Sequence, residues 1–293
     1  MTTDPSLAPD SVDWPIRLLD AAELPRCMDL AMSRAWPREE RKWWLLFEIG
    51  RVYGLEDPSG ALIGTVVRIP FGAGLASIGM MVVASGYERR GLGGRLMSHA
   101  LDQAGDAIVY LAATEFGRPL YTRLGFTATG TITRHEGYFK QAESRSTLRG
   151  GRSIRPAGPE DLDRIGRLDA AVTGADRSEL ITRLSSFAEQ VSVLADGPEI
   201  LGYAAAWRNN DITVIGPVIA PDQLGAQALI AELAAPADGL VRLEVEGHRT
   251  EFAAWAKGCG LDVGSANTNM IYRANALPGD RSRFFAPTLT AIG

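Results

Sequence analysis

The stretch Met80-Met81-Val82-Val83-Ala84-Ser85-Gly86-Tyr87-Glu88-Arg89-Arg90-Gly91-Leu92-Gly93-Gly94-Arg95 decides the reading of this chain. Its first five residues are apolar without alternation, as in a strand buried on both faces. Its end opens a helix from Arg95 to Gln103, with Leu96, Met97, Ala100, Leu101 and Ala104 recurring at spacings of three and four. Glycines at a helix start let backbone N–H groups approach an anion, and the helix dipole favours negative charge there. Arg89, Arg90 and Arg95 add cationic donors in an otherwise acidic chain. The stretch reads as a phosphate-binding turn between a buried strand and a helix.

Two familiar phosphate loops fit it poorly. A Walker-type loop ends in Gly-Lys-Ser/Thr, which is missing here. A dinucleotide fingerprint wants a small residue where Leu96 stands and its first glycine directly after the strand, yet Ser85 to Arg90 intervene. The bland alternative is a glycine-rich helix start with solvated arginines.

Working outward, the chain repeats itself. Ile16-Arg17-Leu18-Leu19-Asp20-Ala21-Ala22-Glu23-Leu24 resembles Ile154-Arg155-Pro156-Ala157-Gly158-Pro159-Glu160-Asp161-Leu162, each a short strand, a turn with a capping acid, and an amphipathic helix. Leu62–Val67 parallels Ile200–Ala205, Ile78–Val83 parallels Ile215–Ala220, and Leu124-Gly125-Phe126 parallels Cys259-Gly260-Leu261. Landmarks in one order at similar spacing imply two copies of one α/β fold. The expected division is a flexible tail over 1–13, a first copy over 14–140, a polar linker over 141–152 and a second copy over 153–293.

Composition narrows the class. The chain has 293 residues, 46% of them apolar, which suits two cores of ordinary size. Its 35 acidic against 30 basic residues, a net charge of −5, argue against nucleic acid or an anionic membrane as partner. Cys27 and Cys259 form no spacing motif, so neither a disulfide framework nor a cysteine metal site is expected, and a reducing cytoplasm fits. The first residues carry no signal-peptide pattern. Ile69 to Tyr87 holds no charge, but its Pro70, Gly72, Gly74, Gly79 and Gly86 read as a loop and buried strand rather than a membrane span.

The segment Val82 to Met97 resembles the signature of the GNAT acetyltransferase superfamily, in which Gln/Arg-x-x-Gly-x-Gly/Ala wraps the pyrophosphate of coenzyme A. The departure is Glu88, where Gln or Arg is usual; an acid there repels phosphates or pairs with a neighbouring arginine. A second landmark also matches, since Ala113 to Phe126 looks like the family's segment after the fifth strand, ending in Tyr121-Thr122-Arg123-Leu124-Gly125-Phe126. The order of elements resembles bacterial tandem GNAT proteins with a degenerate second copy. The resemblance implies two GNAT folds of the α/β (α+β) class, each a mixed, mostly antiparallel sheet flanked by helices. It implies acetyl-CoA as cosubstrate, held by the backbone of Met81, Val82 and Val83 and by Arg89, Arg90, Gly91, Leu92, Gly93, Gly94 and Arg95. The reaction it implies is acetylation of a small-molecule amine by direct attack on the thioester, with no metal. The protein is then a monomer or homodimer. Tyr121 falls on the family's general acid; the rival reading is a core tyrosine.

The general base is open between His135, expected where the last strand of the first copy passes the acceptor, and Glu115, just past the fifth strand. Trp36, Trp43, Trp44 and Phe47 cluster near the helix expected to line the acceptor cleft; Trp43 and Trp44 cannot both face inward, so one is available to wall it. The second copy lacks the glycine turn after Ile219, and Ala256 stands where Tyr121 would repeat. It is expected to lack catalysis and to close the acceptor cleft, with Asp176-Arg177 and Tyr272-Arg273 as contributors. The alternative class is a non-catalytic acyl-CoA-binding or interaction protein, which has no use for the Tyr121 hydroxyl.

Overall fold

The computed structural model describes residues 14–140, 148 and 150–292, so the expected tail and most of the expected linker lie outside the described residues. The first copy runs β1 (Ile16–Leu18), α1 (Leu24–Met32), α2 (Glu40–Ile49), β2 (Arg51–Glu56), β3 (Leu62–Phe71), β4 (Leu75–Val83), α3 (Leu92–Ala104), β5 (Ile108–Ala113), α4 (Arg118–Arg123) and β6 (Thr127–Gly137). The second repeats that order as β7 (Arg152–Pro156), α5 (Leu162–Thr173), α6 (Ser178–Phe187), β8 (Gln190–Asp196), β9 (Glu199–Asn209), β10 (Ile212–Ile219), α7 (Gln223–Ala234), β11 (Leu240–Glu246), α8 (Thr250–Gly258) and β12 (Asp262–Tyr272). A further strand, β13 (Phe284–Ala286), has no counterpart among the described residues of the first copy. The uncharged stretch from Ile69 to Tyr87 becomes the end of β3, β4 and the turn after it. No helix among the described residues is long and apolar enough to cross a membrane.

Local chemistry explains the matching starts. Asp20 accepts from Ala22 N at 2.9 Å while Glu23 accepts from Asp20 N at 3.2 Å, a capping box that satisfies two orphan N–H groups ahead of α1. In the second copy Asp161 accepts from Gly158 N at 2.9 Å and pairs with Arg155. Gly125 and Gly260 both take left-handed φ, +92° and +85°, where the chain turns from α4 into β6 and from α8 into β12. Only glycine adopts that region without strain.

All the strands join one sheet, in the order β1-β2-β3-β4-β5-β12-β6-β11-β10-β9-β8-β7, with β13 beside β10. The two copies exchange their last strands. β12 lies against β5 of the first copy (Thr268 opposite Ala113, Tyr272 opposite Val109), and β6 lies against β11 of the second (Ile132 opposite Glu246, Gly137 opposite Val241). Each copy is therefore completed by the other's final strand, and the division by chain position is not a division of the sheet.

Helices α1, α2, α5 and α6 cover one face around a core that includes Trp43, Trp207, Leu45 and Phe284. On the other face α3 packs on the first copy and α7 on the second. Leu96, Met97 and Ala100 of α3 are fully buried, as their spacing implied. Burying each of the two larger side chains contributes roughly 1.5–3 kcal/mol, which fixes the helix and with it the turn at its start.

Candidate functional site

The site begins where two parallel strands part. β4 and β5 pair from Leu75–Ile108 to Ser77–Tyr110, and the register ends there. Beyond that point a bulge sets Met80 and Met81 opposite Val66 alone; Met80 has φ +47°, and its carbonyl accepts from the buried Thr65 hydroxyl at 3.0 Å. The bulge turns the backbone of Met81–Val83 toward the gap, because an extra residue re-aims a strand. A cleft of about 460 Å³ opens there, lined by Met81, Val82, Val83, the Gly91–Gly94 turn, Thr114 and Tyr121, with Arg34 and Trp36 at the α1–α2 loop.

Helix α3 presents its N-terminus to this cleft without a cap. Gly91 takes φ +79°, and among the described residues no side-chain cap bonds this end of the helix. An uncapped N-terminus with no side chain in front of it is an anion site in waiting. A Cβ on Gly93 would come within 3.3 Å of Leu120 and 3.7 Å of Met81, contacts with the ends of flexible side chains that can shift by a few tenths of an ångström. Of the three arginines in the motif, Arg89 lines the cleft. Arg90 instead donates to Gly86 O at 3.0 Å and lies over the Tyr87 ring, and Arg95 donates to Trp14 O at 2.8 Å. Arg34 and Arg123, which the motif does not contain, line the cleft as well.

Glu88 pairs with a neighbouring arginine, but one distant in sequence. Its carboxylate accepts from Gly86 N at 2.8 Å and forms an ion pair with Arg34, which also donates to Ser85 Oγ at 3.2 Å. Hydrogen bonds from backbone N–H groups, first its own, and from Arg34 hold the Glu88 carboxyl below its ordinary range. The pair neutralises the acid and ties the α1–α2 loop to the glycine turn.

Tyr121 stands on α4 with its ring against the backbone of Gly117, where a Cβ would meet the ring at 2.9 Å. The ring also contacts Phe126, centroids 6.1 Å apart. Burial pushes the hydroxyl up to about 12, so it is a neutral donor at physiological pH. Among the described residues the hydroxyl has no hydrogen-bond partner, and Tyr121 borders the cleft.

The other expected site residues are not brought there. Glu115 is exposed on the β5–α4 loop and is not part of the cleft wall. His135 is buried in β6, opposite Leu243 and Val263, with Nδ1 3.2 Å from Thr133 O. Strand alternation puts it on the same side as Leu243, which belongs to the α7 core, so it faces that core and does not line the cleft. The strand exchange moves it further, since β12 and not β6 adjoins β5. Trp43 is core and Trp44 stacks on Phe187 at 5.9 Å, so of the clustered aromatics it is Trp36 that lines the cleft, with Tyr87, Phe116 and Tyr121.

In the second copy the equivalent places are filled. β13 pairs with β10 just where β10 leaves β11, Val218 opposite Ala286 and Ile219 opposite Phe284. The gap that is open between β4 and β5 is thus occupied by the chain itself. At the start of α7, Asp222 accepts from Gly225 N at 2.8 Å and pairs with Arg152, which puts a carboxylate where a phosphate would sit. Ala256 is core. Arg177 is buried in a two-pronged pair with Asp169, both bonds 3.0 Å, and Tyr272 stacks on Phe126 at 5.3 Å. Those residues hold the fold together and do not wall the cleft.

Comparison with known proteins agrees with both halves. Residues 18–126 match the model described as "Acetyltransferase (GNAT) family", and residues 165–286 match "Acetyltransferase (GNAT) domain". The chain is 29% identical over 229 residues, 75% of this chain and 78% of the relative, to a Bacillus subtilis (strain 168) protein named "Uncharacterized N-acetyltransferase YitH". In fold it is similar to a putative acetyltransferase from Pyrococcus horikoshii, with TM-score 0.77 and 15% identity over 100% of this chain and 99% of that one. It is also similar to a tandem GNAT protein from the clavulanic acid biosynthesis pathway, with TM-score 0.63 and 14% identity over 89% and 98%. The chain is an N-acetyltransferase of the GNAT family and carries that family's domain twice.

Proposed function

We propose that the first copy binds acetyl-CoA and transfers its acetyl group to the primary amine of a small molecule, while the second copy binds no coenzyme. The observation that carries this reading is the contrast between the two helix starts. α3 begins on bare glycines facing an open cleft, whereas α7 begins under Asp222 beside a gap closed by β13. The pyrophosphate sits on the Gly91–Gly94 turn, assisted by Arg89, and the pantetheine arm follows the free edge of Met81–Val83.

In the reaction the neutral amine attacks the thioester carbonyl carbon. The new C–N bond forms, the C–S bond breaks, the nitrogen gives its proton to solvent, and the sulfur leaves as coenzyme A. Backbone N–H groups of the bulged β4 edge stabilise the carbonyl oxygen as it gains charge. The Tyr121 hydroxyl donates to the sulfur. A phenol near 12 facing a thiol near ~8.5 makes complete proton transfer uphill by roughly 5 kcal/mol. The hydroxyl therefore acts as a hydrogen-bond donor while charge builds on sulfur, and the thiolate takes its proton afterwards. Among the described cleft residues Glu88 is the only carboxylate, it is committed to Arg34, and no histidine is present. No side chain of this cleft is placed to take the proton, which passes to water.

The test is release of free coenzyme A thiol from acetyl-CoA across a panel of small amines. Release that depends on one class of amine supports the reading; acetyl-CoA binding with no amine-dependent release would remove it.

A further inference from the structure

A second cavity, of about 480 Å³, lies at the centre of the sheet where the two copies meet. Its wall includes Tyr110 and Ala112 of β5, Asn269 and Ile271 of β12, and Glu246 and Arg281. Tyr110 and Ala112 alternate in step with Thr114, which lines the acetyl-CoA cleft. Two residues of extended chain span about 7 Å, so cavity and cleft open on adjoining segments of one strand. The exchanged strand β12 pairs along the edge of β5 opposite β4, setting Asn269 beside Ala112 and Ile271 beside Tyr110.

Arg281 sets the chemistry of this cavity. Its guanidinium lies 4.0 Å from the centroid of Phe284 and 3.9 Å from Glu246 Oε1, beyond hydrogen-bond reach, and among the described residues its side chain has no hydrogen-bond acceptor. Burial pushes its pKa down, while Tyr110 and Glu246 oppose that shift. Glu246 has a second neighbour, with His248 Nδ1 3.5 Å from its Oε2. A planar fork of five N–H donors is thus held in a shielded site, stacked on a ring, with its ion-pair carboxylate, Glu246, too far away for a bidentate bond. Such a group binds a carboxylate through two parallel bonds. The adjacent Glu246 repels a bare polyanion and tolerates a ligand whose charges cancel.

We infer that this cavity receives the acceptor, and that the acceptor carries a carboxylate, held by Arg281, besides the amine that is acetylated. The acceptor class is amino-acid-like. This rests on the acetyltransferase reading above and assigns substrate selection to the second copy, which supplies Arg281, Glu246 and Asn269.

The test uses the whole chain, acetyl-CoA and matched acceptors: β-alanine, lysine and ornithine, each against its carboxamide. Thiol release gives kcat and KM. At least one acid exceeds its amide in kcat/KM by about 10²-fold, the scale of a charge-assisted pair. Arg281→Gln erases that preference by raising the KM of the acid, and Arg281→Lys restores part of it. Asn269→Phe, which fills the cavity away from Arg281, raises KM for acid and amide alike without altering acetyl-CoA affinity. Equal use of acids and amides, an unchanged preference in Arg281→Gln, or no turnover of any of these acids by a chain that binds acetyl-CoA would each overturn the inference. Failure of the wild-type chain to bind acetyl-CoA is the separate failure of the underlying reading.

Discussion

Replacing Tyr121 by Phe removes one oxygen from the wall of the cleft and nothing else. The ring stays against Gly117 and Phe126, and the lost hydroxyl has no hydrogen-bond partner among the described residues. Folding stability is expected to hold, because the hydroxyl borders the cleft and has no protein partner to lose among the described residues. Catalysis is expected to suffer. A hydrogen bond to a developing charge contributes about 1.5–3 kcal/mol, and each 1.36 kcal/mol is tenfold in rate, so kcat falls by roughly 10- to 150-fold. The loss stays in that range because the hydroxyl, near 12, does not complete the proton transfer. Acetyl-CoA affinity is expected to change less than about twofold, since no ground-state bond is removed. Stopped-time assays of thiol release, calorimetric titration and thermal melts on the same preparation read all three quantities. A variant with kcat within twofold of the parent refutes the role given to the hydroxyl. A variant that instead loses acetyl-CoA binding shows that Tyr121 shapes the cleft and does not act on the sulfur.

Three further outcomes follow from the geometry. His135→Ala is expected to leave the pH–rate profile unchanged, with the rise at limiting acceptor tracking the amine's own pKa; a lost inflection near ~6.5 in the variant would restore His135 as a base. Burial lowers the folded-state pKa of His135, so its contribution to stability is present above about 6.5 and is lost as pH falls below it; melts from pH 7.5 to 5 are expected to fall less in the alanine variant than in the parent. Arg177→Leu leaves Asp169 buried without its cation and is expected to cost about 3–5 kcal/mol, part of it recovered by Asp169→Leu in the same chain, which in turn strips the Tyr203 hydroxyl of its acceptor; equal melting of single and double variants would deny the coupling.

Much of this arrangement is local, and what is local was legible. The Gly91–Gly94 turn, the buried face of α3 and the capping box of Asp20 and Glu23 depend on residues within a few positions of one another. The repeat was legible too, since Gly125 and Gly260 mark the same left-handed turn in both halves. The strand exchange was not. β6 and β12 carry polar and apolar residues that suit either partner, and nothing within a strand specifies which β5-like edge it meets. That one topological fact misplaced the expected base, because it separates His135 from β5 and inserts Thr268 and Asn269 of the second copy. Parity added to the error: Arg134 and Glu136 face the opposite side of the sheet from His135. Arg34 was equally invisible, as its partnership with Glu88 spans 54 residues, and so was β13, whose three residues show their role only when seated beside β10.

Titration of the wild-type chain with acetyl-CoA, alongside Gly93→Asp, tests the central claim most directly. The account predicts saturation at one acetyl-CoA per chain. It predicts that binding disappears in Gly93→Asp, where a carboxylate stands before the α3 N-terminus, while the melting temperature stays near that of the parent. Two acetyl-CoA molecules per chain, or an unchanged affinity in a folded Gly93→Asp variant, would contradict it.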